Sequence, residues 1–480
     1  MSFAIRRTAL KSTRFCFSIS SGASIINRSK QHFRSCRNQQ PSTANARFAS
    51  SSTVVQPSVE PQDQPAAEDI ENIDPHHDIP QCGWDDQKVS VGWGDGMKWS
   101  RYHNIWLRDH CRCSECFHPI TKQRLVDTFE IPADIHPNNV ESKENGLEVT
   151  WPASPPHVSL YPWSWLRDNS YDPPAEASSK GRNEKILWGA RISDSPPTVT
   201  CEEVMKDDAG LLRWLQKIDQ FGFCFVEGVP TNPESTEALC RRIAFIRETQ
   251  YGGFWDFTSD LSHGDTAYTN IALKAHTDNT YYTDPAGLQL FHLLSHTDGE
   301  GGATLLVDGF YVASILKEIN PSAFDILSRV RIPAHAAGDD RSFYKPGPTS
   351  AGYPLITLDP NTGLVAQVRY NNDDRSVISG LEGNQMEEWY QALRAWNKCL
   401  TSHDSEYWVQ LKPGTAVVVD NYRVLHGRSA FSGKRRMCGA YIGADEYRSK
   451  LTVLQELAKL RGGGGEARNE PLRSVWDPRL

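Results

Sequence analysis

Two clusters of side chains in this 480-residue sequence have the types and spacing of metal ligands. The first is Ala275-His276-Thr277-Asp278. In an extended segment residues i and i+2 point to the same side, so His276 and Asp278 can reach one ion. A distal imidazole, His426 in Val424-Leu425-His426-Gly427-Arg428, would complete the set. Two histidines and one carboxylate leave three positions open, the arrangement of non-haem Fe(II) oxygenases. H-x-D alone arises often by chance, and a lone histidine after a strand more often serves a structural hydrogen bond. The combination carries the weight, with Arg435 just beyond it. A guanidinium grips a carboxylate through two parallel hydrogen bonds, so Arg435 can anchor the far end of a dicarboxylic cosubstrate.

The second cluster is Cys111-Arg112-Cys113-Ser114-Glu115-Cys116. A C-x-C-x2-C run can present three thiolates to one tetrahedral ion. The fourth ligand must come from elsewhere. His157 is the first candidate, and Cys82, His103, His110 and His118 compete with it. Four protein ligands close the shell, which marks a structural zinc and not a catalytic one. The chain has 11 cysteines in all, too sparse for a disulfide scaffold.

These side chains need a frame. Val89 to Trp93 and Leu147 to Trp151 alternate as half-buried strands do, giving a small β-rich unit around the cysteines. Past a hinge near Pro196-Pro197, the spacing predicts a helix over 211–221, a strand over 222–226 and a helix over 233–247. Asn232 and Pro233 suit the start of the second helix. Short strands are then expected at 287–294, 304–307, 364–368, 415–419 and 437–442. Many short strands broken by Gly and Pro indicate an antiparallel sandwich or barrel, such as a jelly roll. The expected fold class is therefore mainly β with flanking helices: a double-stranded β-helix (jelly roll) catalytic domain plus a small β-rich zinc-binding N-terminal domain.

Composition narrows the class further. Apolar residues make up 39%, charged residues 23% and aromatic residues 10%, as in an ordinary globular protein. No run of about eighteen apolar residues occurs, so no transmembrane helix is expected. The net charge is -8, which argues against nucleic acid as the main partner. Residues 1–59 hold no Asp or Glu but nine Lys or Arg, leaving -17 over the remainder. Basic, Ser-rich and acid-free is the signature of a mitochondrial transit peptide, here over 1–50 and ending near Arg47-Phe48-Ala49-Ser50. Residues 51–80, rich in Pro, Gln and acids, read as a disordered linker. The zinc domain is then expected over 83–180, the oxygenase domain over 195–460 and a tail over 461–480, where Gly462 to Gly465 reads as flexible linker.

Several stretches are specific enough to carry a resemblance. His276-Thr277-Asp278-Asn279-Thr280-Tyr281-Tyr282, Gly301-Gly302-Ala303-Thr304-Leu305-Leu306-Val307-Asp308 and Asp420 to Arg428 with Arg435 and Tyr441 resemble the trimethyllysine and γ-butyrobetaine dioxygenases. So does Leu107 to Cys116. The family belongs to the taurine-dioxygenase-like superfamily. The resemblance implies iron on His276, Asp278 and His426, and 2-oxoglutarate on Arg435 with help from Thr304. It implies zinc on Cys111, Cys113, Cys116 and His157, ascorbate as a reductant, a homodimer, and a place in the mitochondrial matrix. The implied reaction is hydroxylation of N6,N6,N6-trimethyllysine at C3 by O2, giving 3-hydroxy-N6,N6,N6-trimethyllysine, succinate and CO2 in the first step of carnitine biosynthesis.

A quaternary ammonium has no N–H donor, so electron-rich ring faces must hold it. The resemblance assigns that cage to Tyr251, Trp255 and Tyr268; Asp265 is a candidate partner for the substrate's α-ammonium or for the cage rim, and Asn371 and Tyr441 are candidates for its amino-acid end. Two alternatives stay open: γ-butyrobetaine hydroxylation forming carnitine, and a jelly-roll protein that binds quaternary ammonium compounds without turnover.

Overall fold

The computed structural model describes residues 79–94, 98–174, 184–258, 269–336, 347, 352–462 and 476. The expected transit peptide, nearly all of the linker and most of the tail lie outside the described residues, as do Asp265 and Tyr268. No helix among the described residues is long and apolar enough to cross a membrane.

The first part holds two three-stranded antiparallel sheets. One consists of β1 (Gln81–Trp84), β2 (Lys88–Trp93) and β3 (Lys98–His103). The other consists of β4 (Asn139–Lys143), β5 (Gly146–Trp151) and β6 (His157–Tyr161). Two one-turn helices follow β3 and β6, α1 (Asn104–Asp109) and α2 (Trp163–Asp168). The period-2 pattern sends Val89 and Val91, and Leu147, Val149 and Trp151, into a single core with Tyr102, Leu107 and Tyr161.

The longer part is built on two larger sheets. The six-stranded sheet runs in the order β7 (Thr198–Thr200), β8 (Phe223–Glu227), β16 (Thr415–Asp420), β11 (Leu288–Thr297), β18 (Lys434–Ile442), β9 (Trp255–Thr258). The four-stranded sheet runs β10 (Leu273–His276), β17 (Val424–Arg428), β12 (Thr304–Asp308), β15 (Tyr407–Val409). A separate hairpin pairs β13 (Ile356–Leu358) with β14 (Val365–Val368). All neighbours are antiparallel except β7 and β8. This is the mainly β, helix-flanked architecture expected from the short strand runs.

Alternation sorts the side chains into layers. Phe223 and Phe225, Val417 and Val419, Leu306 and Val424 meet in one core shared by both sheets. The intervening Cys224, Val226, Ala416 and Val418 face the other way. There they meet α4 (Asp208–Phe221), α5 (Pro233–Ile243) and α9 (Ala444–Gly462). Leu305, Val307 and Leu425 pack instead against α6 (Gly309–Ile319), α7 (Pro321–Arg329) and α8 (Gly383–Leu400). A short α3 (Cys201–Lys206) precedes α4.

Local signals set the helix ends. Asp207 accepts from the Gly210 N–H at the start of α4, and Gly222 closes it at φ 79°, a conformation that favours glycine. Asn232 caps α5 with Pro233 in its first turn, as expected. That helix stops at Ile243, short of the expected Arg247. The Arg247 N–H donates to the Tyr441 carbonyl at 2.8 Å, so pairing with β18 draws the chain out of helical geometry.

One buried ion pair ties the layers together. Arg423 is 1% exposed and Asp308 0%. Its Nε donates to Asp308 Oδ1 at 3.0 Å and its Nη2 to Oδ2 at 2.7 Å. The other guanidinium hydrogens reach the Gln220 and Ile186 carbonyls. Asp308 also accepts from the Trp188 and Phe310 N–H groups, the latter at the start of α6. Asp308→Ala leaves that guanidinium buried without its charge partner. A loss of about 3 kcal/mol in unfolding free energy is expected, read from the urea midpoint at pH 7.

Candidate active site

The longer chain segment brings the three oxygenase candidates together across the four-stranded sheet. His276 ends β10 and sits directly opposite His426 of β17. Their ring centroids are 4.5 Å apart. Asp278 Oδ1 lies 3.3 Å from His276 Nε2 and 3.7 Å from His426 Nε2. One ligand atom from each residue falls within 4.8 Å of the others.

Neighbouring groups aim these atoms. His276 Nδ1 donates to the Lys274 carbonyl at 2.7 Å, which makes Nε2 the lone-pair nitrogen of the neutral ring. Tyr441 donates its hydroxyl to Asp278 Oδ2 at 2.7 Å, leaving Oδ1 to face the imidazoles. Gln289 in turn donates to the Tyr441 oxygen at 3.3 Å. Asn421 clamps the backbone on both sides of the carboxylate: its Oδ1 accepts from the Asp278 N–H at 2.7 Å, and its Nδ2 donates to the Asp278 carbonyl at 2.9 Å. The turn after Asp278 is made by Asn279 at φ 59°, a left-handed conformation that asparagine tolerates better than most residues.

The electrostatics suit a cation. Burial opposes ionisation of Asp278, but the two imidazoles and the Tyr441 hydroxyl outweigh it and hold the carboxyl well below the usual carboxylate range. Burial works against a charged His276, yet Asp278 and the Lys274 carbonyl push it up to about 9. Burial lowers His426 to about 4. At neutral pH the metal-free site therefore carries one proton on His276. A metal must displace it, because only the neutral ring coordinates. Apparent affinity for Mn(II), used as a redox-stable probe, is expected to rise about tenfold per pH unit between pH 7 and 8.5. Calorimetry in two buffers of different ionisation enthalpy would show about one proton released. A flat profile above pH 7 contradicts a raised His276.

Above the triad opens a cavity of about 400 Å³. Tyr251, Trp255, Tyr281, Phe291, Tyr370 and Tyr441 supply aromatic wall. The Trp255 indole lies against Gly439 of β18, where a Cβ would come within 2.5 Å of the ring. Thr304, on β12 of the four-stranded sheet, and Arg435, on β18 of the six-stranded sheet, also line the cavity. Arg435 is 4% exposed, its Nε has no hydrogen-bond partner, and no carboxylate pairs with it among the described residues. Burial and the neighbouring Arg428 lower it to about 10, so it stays charged. A buried cation without a counterion points to an anionic ligand.

The remaining expected residues fall as follows. Asn371 lines the cavity and donates to Asp374 at 2.9 Å. The Tyr441 ring is on the wall, with its hydroxyl committed to Asp278. Gln250, Tyr281 and Asn421 carry no ligand signature in sequence. Gln250 donates to the Tyr281 hydroxyl and accepts from Tyr282 at 2.7 Å, fixing the ring that lines the cavity. Their only sequence signal is position: Gln250 adjoins Tyr251, Tyr281 follows the His-x-Asp run, and Asn421 lies five residues before His426.

In the first part, Cys111, Cys113, Cys116 and His157 converge. His157 Nε2 lies 3.4, 3.7 and 3.5 Å from the three sulfurs in that order. Arg108 donates to Cys116 Sγ at 3.2 Å, and Glu115 lies 3.4 Å from His157 Nδ1. The competing residues are engaged elsewhere: Cys82 with the Val140 carbonyl, His103 with Tyr171, His110 with the Trp106 carbonyl and His118 with its own turn.

Paired sheets presenting two imidazoles and a carboxylate on one side, beside a buried unpaired arginine, define a non-haem iron oxygenase with an anionic cosubstrate. The chain belongs to the taurine catabolism dioxygenase TauD, TfdA family, whose model matches residues 180–441. Residues 82–167 match the gamma-butyrobetaine hydroxylase-like N-terminal family. Trimethyllysine dioxygenase of Neurospora crassa is 46% identical over 380 residues, covering 72% of this chain and 79% of that one. The mitochondrial trimethyllysine dioxygenase of Homo sapiens is 41% identical over 356 residues, covering 74% and 83%. Gamma-butyrobetaine dioxygenase of a Pseudomonas species is 34% identical over 373 residues, covering 76% and 94%.

Proposed function

We propose that this enzyme hydroxylates N6,N6,N6-trimethyllysine at C3 with Fe(II), 2-oxoglutarate and O2, releasing 3-hydroxy-N6,N6,N6-trimethyllysine, succinate and CO2. One observation carries this reading: an aromatic-walled cavity that joins a 2-His-1-carboxylate cluster to a buried, unpaired Arg435. Iron, when bound to His276, Asp278 and His426, supplies the oxygen activation that is coupled to decarboxylation of 2-oxoglutarate.

The chain's own residues supply position and charge. Arg435 takes the far carboxylate of the cosubstrate in a bidentate grip, and the Thr304 hydroxyl adds a neutral donor. Tyr251 and Trp255 offer ring faces to the trimethylammonium group, and Tyr268 and Asp265, outside the described residues, are assigned to the same substrate from the sequence. Asn371 and the Tyr441 ring face the amino-acid end. Tyr441 and Asn421 hold Asp278 in its ionised, oriented form throughout.

The same reading makes the paired sheets a double-stranded β-helix and the four-donor cluster a structural zinc site. Zinc at its usual bond lengths gives sulfur-to-nitrogen edges of about 3.6 Å, and the three distances to His157 bracket that value. Ascorbate keeps the iron reduced, the protein is a homodimer, and the acid-free leader directs it to the mitochondrial matrix. The test is succinate release from purified protein offered trimethyllysine or γ-butyrobetaine, with and without added iron. Iron-dependent succinate at least tenfold greater with trimethyllysine is expected. Preference for γ-butyrobetaine, or no turnover with either, overturns the assignment.

A further inference from the structure

A second, smaller cavity lies behind the active-site wall. It measures about 50 Å³ and is bordered by Thr280, Tyr353, Arg369, Tyr370, Asn371 and Arg375, among others. Three polar atoms on its border are buried and have no hydrogen-bond partner: Thr280 Oγ1, Arg369 Nε and Arg375 Nε. All three can donate. Among the described residues no Asp or Glu lines the cavity.

The two guanidinium groups meet only neutral acceptors. Arg369 donates to the Thr280 and Tyr282 carbonyls at 3.3 and 2.6 Å and to Gln367 at 3.4 Å. Arg375 donates to the Tyr390 hydroxyl at 3.2 Å and to Asn372 Oδ1 at 3.5 Å. Their remaining surroundings are rings: Arg369 stands 3.9 Å above the Tyr353 centroid, and Arg375 is 5.3 Å from that of Trp389. Asp284, the acid whose field reaches Arg369, is held by Arg247 at 2.9 Å and by the Tyr422 hydroxyl at 2.9 Å. Two partly buried cations therefore share one cavity with no carboxylate of their own among the described residues. Desolvation of that charge is costly unless a counterion compensates it.

We propose that this cavity binds a small monovalent inorganic anion of chloride's size, held by Arg369, Arg375 and the Thr280 hydroxyl. A single water needs about 10–15 Å³ of such space, so the cavity accommodates chloride with a companion water. A phosphorylated or dicarboxylic metabolite is too large. Three unpartnered donors beside two cations favour an anion over water, since water would leave both positive charges uncompensated.

The site is coupled to the active centre through shared wall. Tyr370 and Asn371 border both cavities. The Tyr370 N–H donates to Thr277 Oγ1 at 2.9 Å, and the Thr277 N–H donates to the Tyr370 carbonyl at 2.7 Å. Thr277 stands between His276 and Asp278. An anion that fixes Arg369 and Arg375 thus braces the segment that backs the metal-binding turn.

Bromide is the probe. Crystals of the full chain grown in sodium bromide are expected to show an anomalous peak between Arg369 and Arg375. In solution, sodium chloride in place of sodium gluconate at equal ionic strength is expected to raise Tm by about 2 °C. Arg375→Gln is expected to abolish both effects. Ordinary water density without bromide signal overturns the proposal, and so does a chloride-dependent Tm shift that persists in the variant. If the variant fails to fold, the bromide peak in the unaltered protein decides alone.

Discussion

Asp278→Ala is expected to lower succinate release about 10⁴-fold and to leave the purified protein without stoichiometric iron. Asp278 Oδ1 is the atom that both imidazole Nε2 atoms face, at 3.3 and 3.7 Å. Alanine removes the only carboxylate of the triad and its charge, so a divalent ion would keep two neutral nitrogen ligands. A neighbouring substitution separates ligand loss from general damage. Tyr441→Phe leaves the carboxylate in place and deletes the hydroxyl that donates to Oδ2 and accepts from Gln289, and an effect of about 10–100-fold is expected from losing such an orienting contact. Metal content by elemental analysis and single-turnover succinate yield would check both. Near-normal iron loading in Asp278→Ala would remove that residue from the ligand set.

Arg435→Met is expected to reduce kcat/KM for 2-oxoglutarate about 10³-fold, mostly through KM. Methionine keeps the aliphatic stem but removes a buried charge that pairs with no carboxylate among the described residues. Truncating one side of a desolvated charge pair typically costs about 2–5 kcal/mol, and a thousandfold change corresponds to about 4 kcal/mol. Lysine at the same position keeps the charge but not the two-pronged geometry, so Arg435→Lys should recover part of the loss. An unchanged KM in Arg435→Met would place the cosubstrate elsewhere. Shorter cosubstrate analogues lacking the far carboxylate should be indifferent to the substitution.

Much of this was legible in the sequence because the signals are local. The i, i+2 spacing of His276 and Asp278 put both side chains on one side of an extended run, and Cys111 to Cys116 packed three thiols into a single turn. Period-2 alternation marked the strands around Val89 and Leu147, and short apolar runs bounded by Gly and Pro marked the later ones at Thr304 and Thr415. Asn232 and Pro233 announced the start of α5.

Other features needed the tertiary structure. The end of α5 is set by a hydrogen bond to β18, nearly two hundred residues away, which no helix-end rule can see. The helices α6, α7 and α8 were not read from spacing, and their apolar faces are matched by the four-stranded sheet they cover.

What the sequence determined by itself was the donor inventory: which residues can bind metal, charge or a quaternary cation, and where short strands could carry them. Only the folded chain decided which donors meet. Strand pairing set His426 opposite His276, β6 delivered His157 in preference to four other candidates, and burial left Arg435 without a countercharge among the described residues. The physical reason is range. Side-chain period and capping act over a few residues, whereas ligand convergence and desolvation depend on contacts between segments far apart in the chain, fixed only when both sheets close on a common core.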